Sequence, residues 1–261
     1  MREGAFEPSY EQVLEFCARE PVERVFLEDV ARRALGRFVA LADAAGGLAA
    51  LCLLGTNLVP AGSGCGAFAG HAAFSGSRMI IGEEDAVSEL WQTAEAMLPR
   101  PRADRPGQPV YAIANPPRDG GSGLRAARLD DLDLLVPICA AAHAEELGVD
   151  PLRQDAESFR WRTQIQISDG RSWLWLEDGV VLFKAEVSAW TPWAAQVQQV
   201  WVDPGARRSG YGSRGMRDLC RRLLERTPVV TLFVRSENAA AIGLYESIGM
   251  ELVTHYRSIL F

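Results

Sequence analysis

The residues best suited to chemistry lie in one stretch, VWVDPGARRSGYGS at residues 200–213. An extended run ends at Asp203-Pro204, and a loop carrying Gly210 and Gly212 leads into a segment with helical spacing. There Met216, Leu219, Cys220, Leu223 and Leu224 recur at i, i+3, i+4, i+7 and i+8. Glycines just ahead of a helix N-terminus let the backbone approach a ligand and aim its N–H groups at an anion. The helix dipole strengthens that field, and residues 203–226 add seven arginines against three acids. A tight turn with solvated arginines has the same spacing and stays open at this point. Neither the GxxxxGK[ST] phosphate loop nor the GxGxxG dinucleotide fingerprint occurs in this segment.

Two further side chains stand out. Tyr245 shares a helical stripe with Ala241, Leu244 and Ile248, so by spacing it reads as a half-buried core tyrosine. Glu186 stands two residues from Lys184, the one lysine in the chain. On a strand both point the same way, which reads as an ordinary exposed ion pair. The five cysteines are scattered without a CxxC pair, and the three histidines lie far apart, so no metal site is expected. Reduced, mostly buried thiols fit the odd cysteine count.

These residues need elements to hold them. The clearest break in the chain is NPPRDGGSG at residues 115–123, which can continue neither helix nor strand and reads as an interdomain linker. It divides the chain into 1–118, a linker at 119–124, and 125–261. Residues 129–144 and 156–167 read as helices, and residues 173–177 and 180–187 as a hairpin across Asp178-Gly179. A strand at 197–202 follows a loop at 188–195. Past the arginine-rich helix come a strand at 229–234, a helix at 238–248 and a strand at 253–261. The first half opens with an amphipathic helix at 10–19, an extended run at 22–27, and a hairpin of 37–42 with 48–54. The tract GSGCGAFAG at 62–70 reads as a flexible loop, residues 85–98 as a helix, and 109–114 as a strand. The pattern predicts an α/β (α+β mixed sheet) protein in two parts.

Composition narrows the classes. With 261 residues, 48% hydrophobic and 23% charged, the chain is that of an ordinary folded protein rather than a disordered or fibrous one. A formal charge of −7 argues against nucleic-acid binding driven by overall charge. The longest apolar runs fall far short of the roughly 20 residues that span a membrane. Residues 1–14 lack the apolar stretch of a secretory signal, so a cytoplasmic location is expected.

The segment resembles the GNAT superfamily of N-acetyltransferases. Arg207-Arg208-Ser209-Gly210-Tyr211-Gly212 fits the family's [Q/R]-x-x-G-x-[G/A] acyl-CoA loop, and Val200-Trp201-Val202-Asp203-Pro204 its preceding V-x-V-x-P. Residues 238–250, NAAAIGLYESIGM, match the N-x-x-A-x-x-L-Y-E-x-x-G-F pattern, with Met250 in place of the usual aromatic. The chain as a whole is similar to a two-domain subgroup in which phrases such as VERVF (22–26), NLVP (57–60), FKAEV (183–187) and QVQQVWV (196–202) recur. The first half then resembles a degenerate copy of the same fold without the CoA loop.

The resemblance implies acetyl-CoA as co-substrate, with no metal and an amine acceptor, either a small molecule or a protein N-terminus or lysine. Backbone groups of Val200, Trp201 and Val202 would pair with the pantetheine arm on a strand splayed from its neighbour. Amides from Arg207, Arg208, Ser209, Gly210, Tyr211, Gly212 and Ser213 would hold the pyrophosphate, and Asn238 would cap its helix, contact the CoA arm, or both. Tyr245 would protonate the departing thiolate. The base is the open question, because the strand that often carries a carboxylate here reads Gln198-Gln199. Glu186 is one candidate; Glu145 and Glu146 lie where family members shape the acceptor pocket, and they read equally as solvated helix charges. A CoA-binding regulatory module without turnover is the alternative reading. A structural pair, with the degenerate half mediating a homodimer, is a third. Neither nucleic acid nor membrane is an expected partner.

Overall fold

The computed structural model describes residues 4–261. In chain order the elements are α1 (Tyr10–Ala18), α2 (Val25–Arg32), β1 (Arg37–Ala42), β2 (Leu48–Leu54), β3 (Asn57–Gly62), α3 (Ala69–Ala73), β4 (Met79–Glu83), α4 (Glu84–Ala94) and β5 (Ala103–Ile113). After the break come β6 (Leu124–Ala126), α5 (Leu132–Leu147), α6 (Pro151–Ser168), β7 (Ser172–Glu177), β8 (Val180–Trp190), β9 (Ala194–Val202), α7 (Tyr211–Leu224), β10 (Val229–Phe233), α8 (Ala239–Ser247) and β11 (Glu251–Leu260). All eleven strands join one mixed sheet in the order β1-β2-β3-β4-β11-β5-β10-β9-β8-β7-β6.

That order interlocks the two halves. β5 lies between β11 and β10, so both its strand partners come from the second half. β11 lies between β4 and β5, and both its partners come from the first. The element sequence also repeats. Strands β1-β2-β3, helix α3, β4, α4 and β5 are echoed by β7-β8-β9, α7, β10, α8 and β11, with β3–β4 and β9–β10 parallel and the other strand pairs antiparallel. No repeat is visible in the residues themselves; the likeness lies in topology.

Several expectations need correction. Residues 22–27 are not extended: α2 begins at Val25. Its inner face buries Glu28 and Asp29 beside Val25 and Leu27, which hides the apolar period. The burial is possible because both acids are paired. Asp29 accepts two bonds from Arg171 (2.6 and 3.0 Å) and one from the backbone N–H of Trp190, and Glu28 pairs with Arg32 at 2.7 Å. The Arg171 bridge clamps α2 of the first half onto the second. Strands β3 and β4 were not expected, and β5 begins at Ala103 rather than at residue 109, pairing with β11 along most of its length. The loop expected at 188–195 shrinks, because β8 continues to Trp190 and β9 begins at Ala194. The tract at 62–70 is ordered as a short 3-10 turn, Cys65–Phe68, running into α3.

The break at 115–123 is also held down. Asp218 on α7 accepts from the backbone N–H groups of Gly120 and Ser122 and from the Ser122 hydroxyl. Arg214 donates to the carbonyls of Gly120 and Gly121, and Arg221 to that of Pro117. A side chain at position 120 would run into the Arg214 carbonyl, so this close approach requires glycine. All five cysteines are buried and unpaired, and among the described residues no helix is long and apolar enough to cross a membrane.

Candidate active site

β9 and β10 are bonded only where residues 194–196 face residues 229–231. Beyond that point the strands part, which leaves backbone groups along one edge of β9 without a strand partner. On its other edge β9 pairs with β8, where Lys184 opposes Trp201 and Glu186 opposes Gln198. Two steps along β8 thus match three along β9. The extra residue makes a β-bulge at Gln199, whose φ of 48° is left-handed. The wedge between the splayed strands is a cleft of about 180 Å³, lined among others by Val200, Trp201, Asn238, Tyr245, Glu145 and Glu146.

The glycine loop meets this cleft. Gly210 sits at φ 84° ahead of α7, no side chain caps the first N–H groups of that helix, and no acid lies in its first turn. A helix start leaves its first N–H groups without intrahelical partners, so an uncapped one suits an anion. Arg208, also left-handed at φ 64°, adds to a concave run of amides through Ser209, Tyr211, Gly212 and Ser213. Gly212 lets α7 close on the end of β9: a side chain there would meet Leu244 at 2.8 Å and Val202 at 3.4 Å. The Tyr211 ring leans edge-on against Trp175, and the Arg214 guanidinium covers that indole at 4.6 Å. These residues fit a pyrophosphate through backbone rather than through arginine side chains. Arg214 and Arg221 serve the break, and Arg207 makes two bonds to Glu145 (3.0 and 3.1 Å) and one to the Val202 carbonyl.

Behind the bulge lies a buried polar cluster. Lys184, 1% exposed, donates to Glu186 Oε1 at 3.0 Å, Gln199 Oε1 at 3.1 Å and Cys139 Sγ at 3.3 Å. The Cys139 thiol donates to Glu186 Oε1, and Gln198 Nε2 to Glu186 Oε2. The expected Lys184–Glu186 pair therefore exists, but it is buried rather than exposed. Burial alone would raise the Glu186 carboxyl and lower the Lys184 amine. Their mutual attraction and hydrogen bonds reverse both shifts and keep both groups charged. Glu186 lines neither the cleft nor the cavity described next, and both its oxygens are engaged.

Tyr245 is 6% exposed and packs beside Tyr111, which donates to Glu246. The Tyr245 hydroxyl makes no hydrogen bond to another described residue, and its ring borders the cleft. Burial, with the Glu146 charge adding to it, pushes its pKa well above the ordinary phenol value, so the proton stays on at neutral pH. Asn238 caps α8, accepting from the Ala241 N–H at 3.2 Å while lining the cleft.

A second cavity of about 270 Å³ adjoins the cleft, and both halves wall it. Phe26, Asn57 and Met79 come from the first half, Gln196, Phe233 and Arg235 from the second. It shares Glu146, Gln198, Gln199 and Arg235 with the cleft. Its polar frame is rigid: Arg24 bonds Glu83 at 2.7 Å and the Phe16 carbonyl, and the Tyr256 hydroxyl donates to the Glu23 carbonyl. Arg102 and Arg105 donate to the terminal carbonyls of α5, at Leu147 and Glu146. Sequence reasoning missed this cavity, although three of the phrases it singled out supply its wall. VERVF supplies Glu23 and Phe26, NLVP supplies Asn57, Val59 and Pro60, and QVQQVWV supplies Gln196, Gln198 and Gln199. Phrases up to 170 residues apart meet at one wall. Among the described residues no group of three His, Cys, Asp or Glu side chains could hold a metal.

The chain's likenesses follow the same division. A family model for the acetyltransferase (GNAT) family matches residues 140–250, and one for a domain of unknown function, DUF4081, matches residues 36–135. No curated protein matches the sequence. Among solved structures, a GNAT-family protein from Novosphingobium aromaticivorans is 20% identical with a TM-score of 0.59, over 92% of this chain and 97% of its own. A GCN5-related N-acetyltransferase from Sphaerobacter thermophilus is 16% identical with a TM-score of 0.61, over 98% and 94%. A tandem GNAT protein from the clavulanic acid biosynthesis pathway is 12% identical with a TM-score of 0.57, over 98% and 97%. At these identities the neighbours speak for the fold. Fold, motif and family model agree over the second half: residues 140–250 match the GNAT acetyltransferase family, residues 36–135 match a domain of unknown function, and the chain as a whole shares its fold with GNAT proteins, one of them a tandem GNAT.

Proposed function

We propose that the chain is an acyl-CoA-dependent N-acetyltransferase that passes an acetyl group from acetyl-CoA to a primary amine by direct attack. The observation that carries this reading is the splay of β9 from β10 beside an uncapped helix start, with Tyr245 lining the cleft between them. Backbone of Val200, Trp201 and Val202 pairs with the pantetheine arm, amides of residues 207–213 hold the pyrophosphate, and Asn238 borders the arm while capping α8. The bulge at Gln199 frees a backbone N–H to polarise the thioester carbonyl. Tyr245 donates its proton to the sulfur as the C–S bond breaks. Glu186 is a positioning residue: through Lys184 it fixes the Gln199 side chain and so the bulge.

On this reading residues 125–261 hold the reaction and residues 1–118 are a degenerate copy. The tract at 62–70 occupies the place between β3 and α3 that the CoA loop occupies between β9 and α7. Its own glutamates fill it. The N–H groups of Gly64 and Cys65 donate to Glu89, and that of Gly62 to Glu83. A carboxylate already sits where a pyrophosphate would bind.

The test is release of free CoA thiol from acetyl-CoA against a panel of primary amines. Amine-dependent release supports the enzyme. Tight CoA binding with no release from any amine favours the regulatory module, which the glutamines at 198 and 199 keep in play.

A further inference from the structure

The cleft and the larger cavity meet, and a reacting amine must lie where they do, because the cleft takes the thioester. Of the side chains that line both, Gln198, Gln199, Phe233 and Val234 are neither acids nor bases in the ordinary range, and the Arg235 guanidinium offers donors but no acceptor. Only Glu146 remains able to take a proton. His143 lines the larger cavity alone, and Glu186 lines neither. Resting on the acetyltransferase reading above, we infer that Glu146, on the last turn of α5, is the general base that accepts the proton of the acceptor amine.

Its surroundings suit the task. Glu146 is exposed, so the proton has a way out. Desolvation at the wall shared by cleft and cavity, with the Glu186 charge adding to it, raises its pKa above the ordinary carboxylate value. Arg105 on β5, Arg235 beyond β10 and Lys184 on β8 act in the opposite direction without overcoming it. Tyr245 on α8 feels its charge, and His143, one turn earlier on α5, is held below its ordinary pKa by burial and is neutral at physiological pH. A carboxylate raised toward neutrality is a better base than one at its usual value.

The protons balance. Glu146 takes the ammonium proton and passes it to water in the open cavity. The neutral nitrogen attacks the thioester carbon, the C–N bond forms and the C–S bond breaks. The nitrogen's surplus proton goes to Glu146 as Tyr245 gives its own to sulfur, and water returns a proton from Glu146 to the tyrosinate. The products are the amide and CoA thiol.

The experiment compares wild type with Glu146→Gln, which keeps size and polarity, using benzylamine and hydroxylamine as acceptors and measuring CoA affinity alongside. Benzylamine arrives protonated at neutral pH, whereas hydroxylamine arrives mostly neutral. The expected result is a fall in kcat/KM of about 10²–10⁴ with benzylamine that shrinks as pH rises, at most about tenfold with hydroxylamine, and unchanged CoA affinity. An equal loss with both amines at every pH, or no loss, overturns the assignment. Wild-type protein that binds CoA but releases none with any amine overturns the acetyltransferase reading itself, and the base with it.

Discussion

On the proposed reading, Tyr245 and Glu186 take different parts because their surroundings differ: one hydroxyl is left without a described hydrogen-bond partner, while both oxygens of the carboxylate are engaged. The Tyr245 hydroxyl holds no bond to another described residue, so Tyr245→Phe removes nothing that the fold uses. Its expected effect is a fall in kcat of about 10²–10⁴ with melting temperature and CoA affinity nearly unchanged, read by calorimetry and turnover on the same preparation. A matching loss of stability would instead show a structural hydroxyl. Glu186→Gln behaves in the opposite way, because it leaves Lys184 charged and buried without its partner. The expected cost is about 3–5 kcal/mol at neutral pH. The Glu186 pKa is depressed in the folded state, so its contribution is present above the ordinary value of 4.5 and is lost as pH falls through the lower folded value. Denaturant melts of wild type and variant should therefore converge below pH 4.5, and a constant gap would speak against the pair.

At the scale of the element, the loop before α7 would, on the proposed reading, bind through backbone geometry. Gly210 is left-handed and open to solvent, with nothing within 4 Å of an added Cβ. Gly210→Ala should cost about 1–2 kcal/mol of strain while keeping CoA binding. Gly210→Glu should carry the same strain and also lose CoA affinity by more than about 100-fold, since a carboxylate would occupy the anion's place. Isothermal titration of both variants separates strain from repulsion, and equal affinities would remove the loop from the site. This loop was legible because glycine spacing and helical period are local signals. Helix α2 was not legible, because paired acids on its inner face, Glu28 and Asp29, broke the apolar pattern. The large cavity was equally hidden, for its wall joins residues 23–26, 57–60 and 196–199, and only three-dimensional closure brings them together.

Across the whole molecule the decisive feature is the exchange of β5 and β11. The break at 115–123 marks where the chain passes from one repeat to the next, and the sheet does not divide there. Fragments cut after Gly121 should each lack a strand in mid-sheet: residues 1–121 without β11 between β4 and β5, and residues 122–261 without β5 between β10 and β11. Neither should melt cooperatively alone, whereas co-expression should restore a single transition and CoA binding. A fragment 122–261 that folds and binds CoA by itself would contradict this. Nothing in the sequence announces the exchange, since β5 and β11 each read as an ordinary strand and pairing partners more than about 110 residues apart leave no local trace.

The same exchange bears on how the protein is made. At synthesis rates of roughly 5–20 residues per second, β11 leaves the ribosome about 7–30 seconds after β5. Throughout that interval β4 and β5 expose bare edges that invite pairing with a neighbouring nascent chain. Shielding by a chaperone, or slow translation that spaces ribosomes apart, would matter more for this protein than for one whose first half closes on itself.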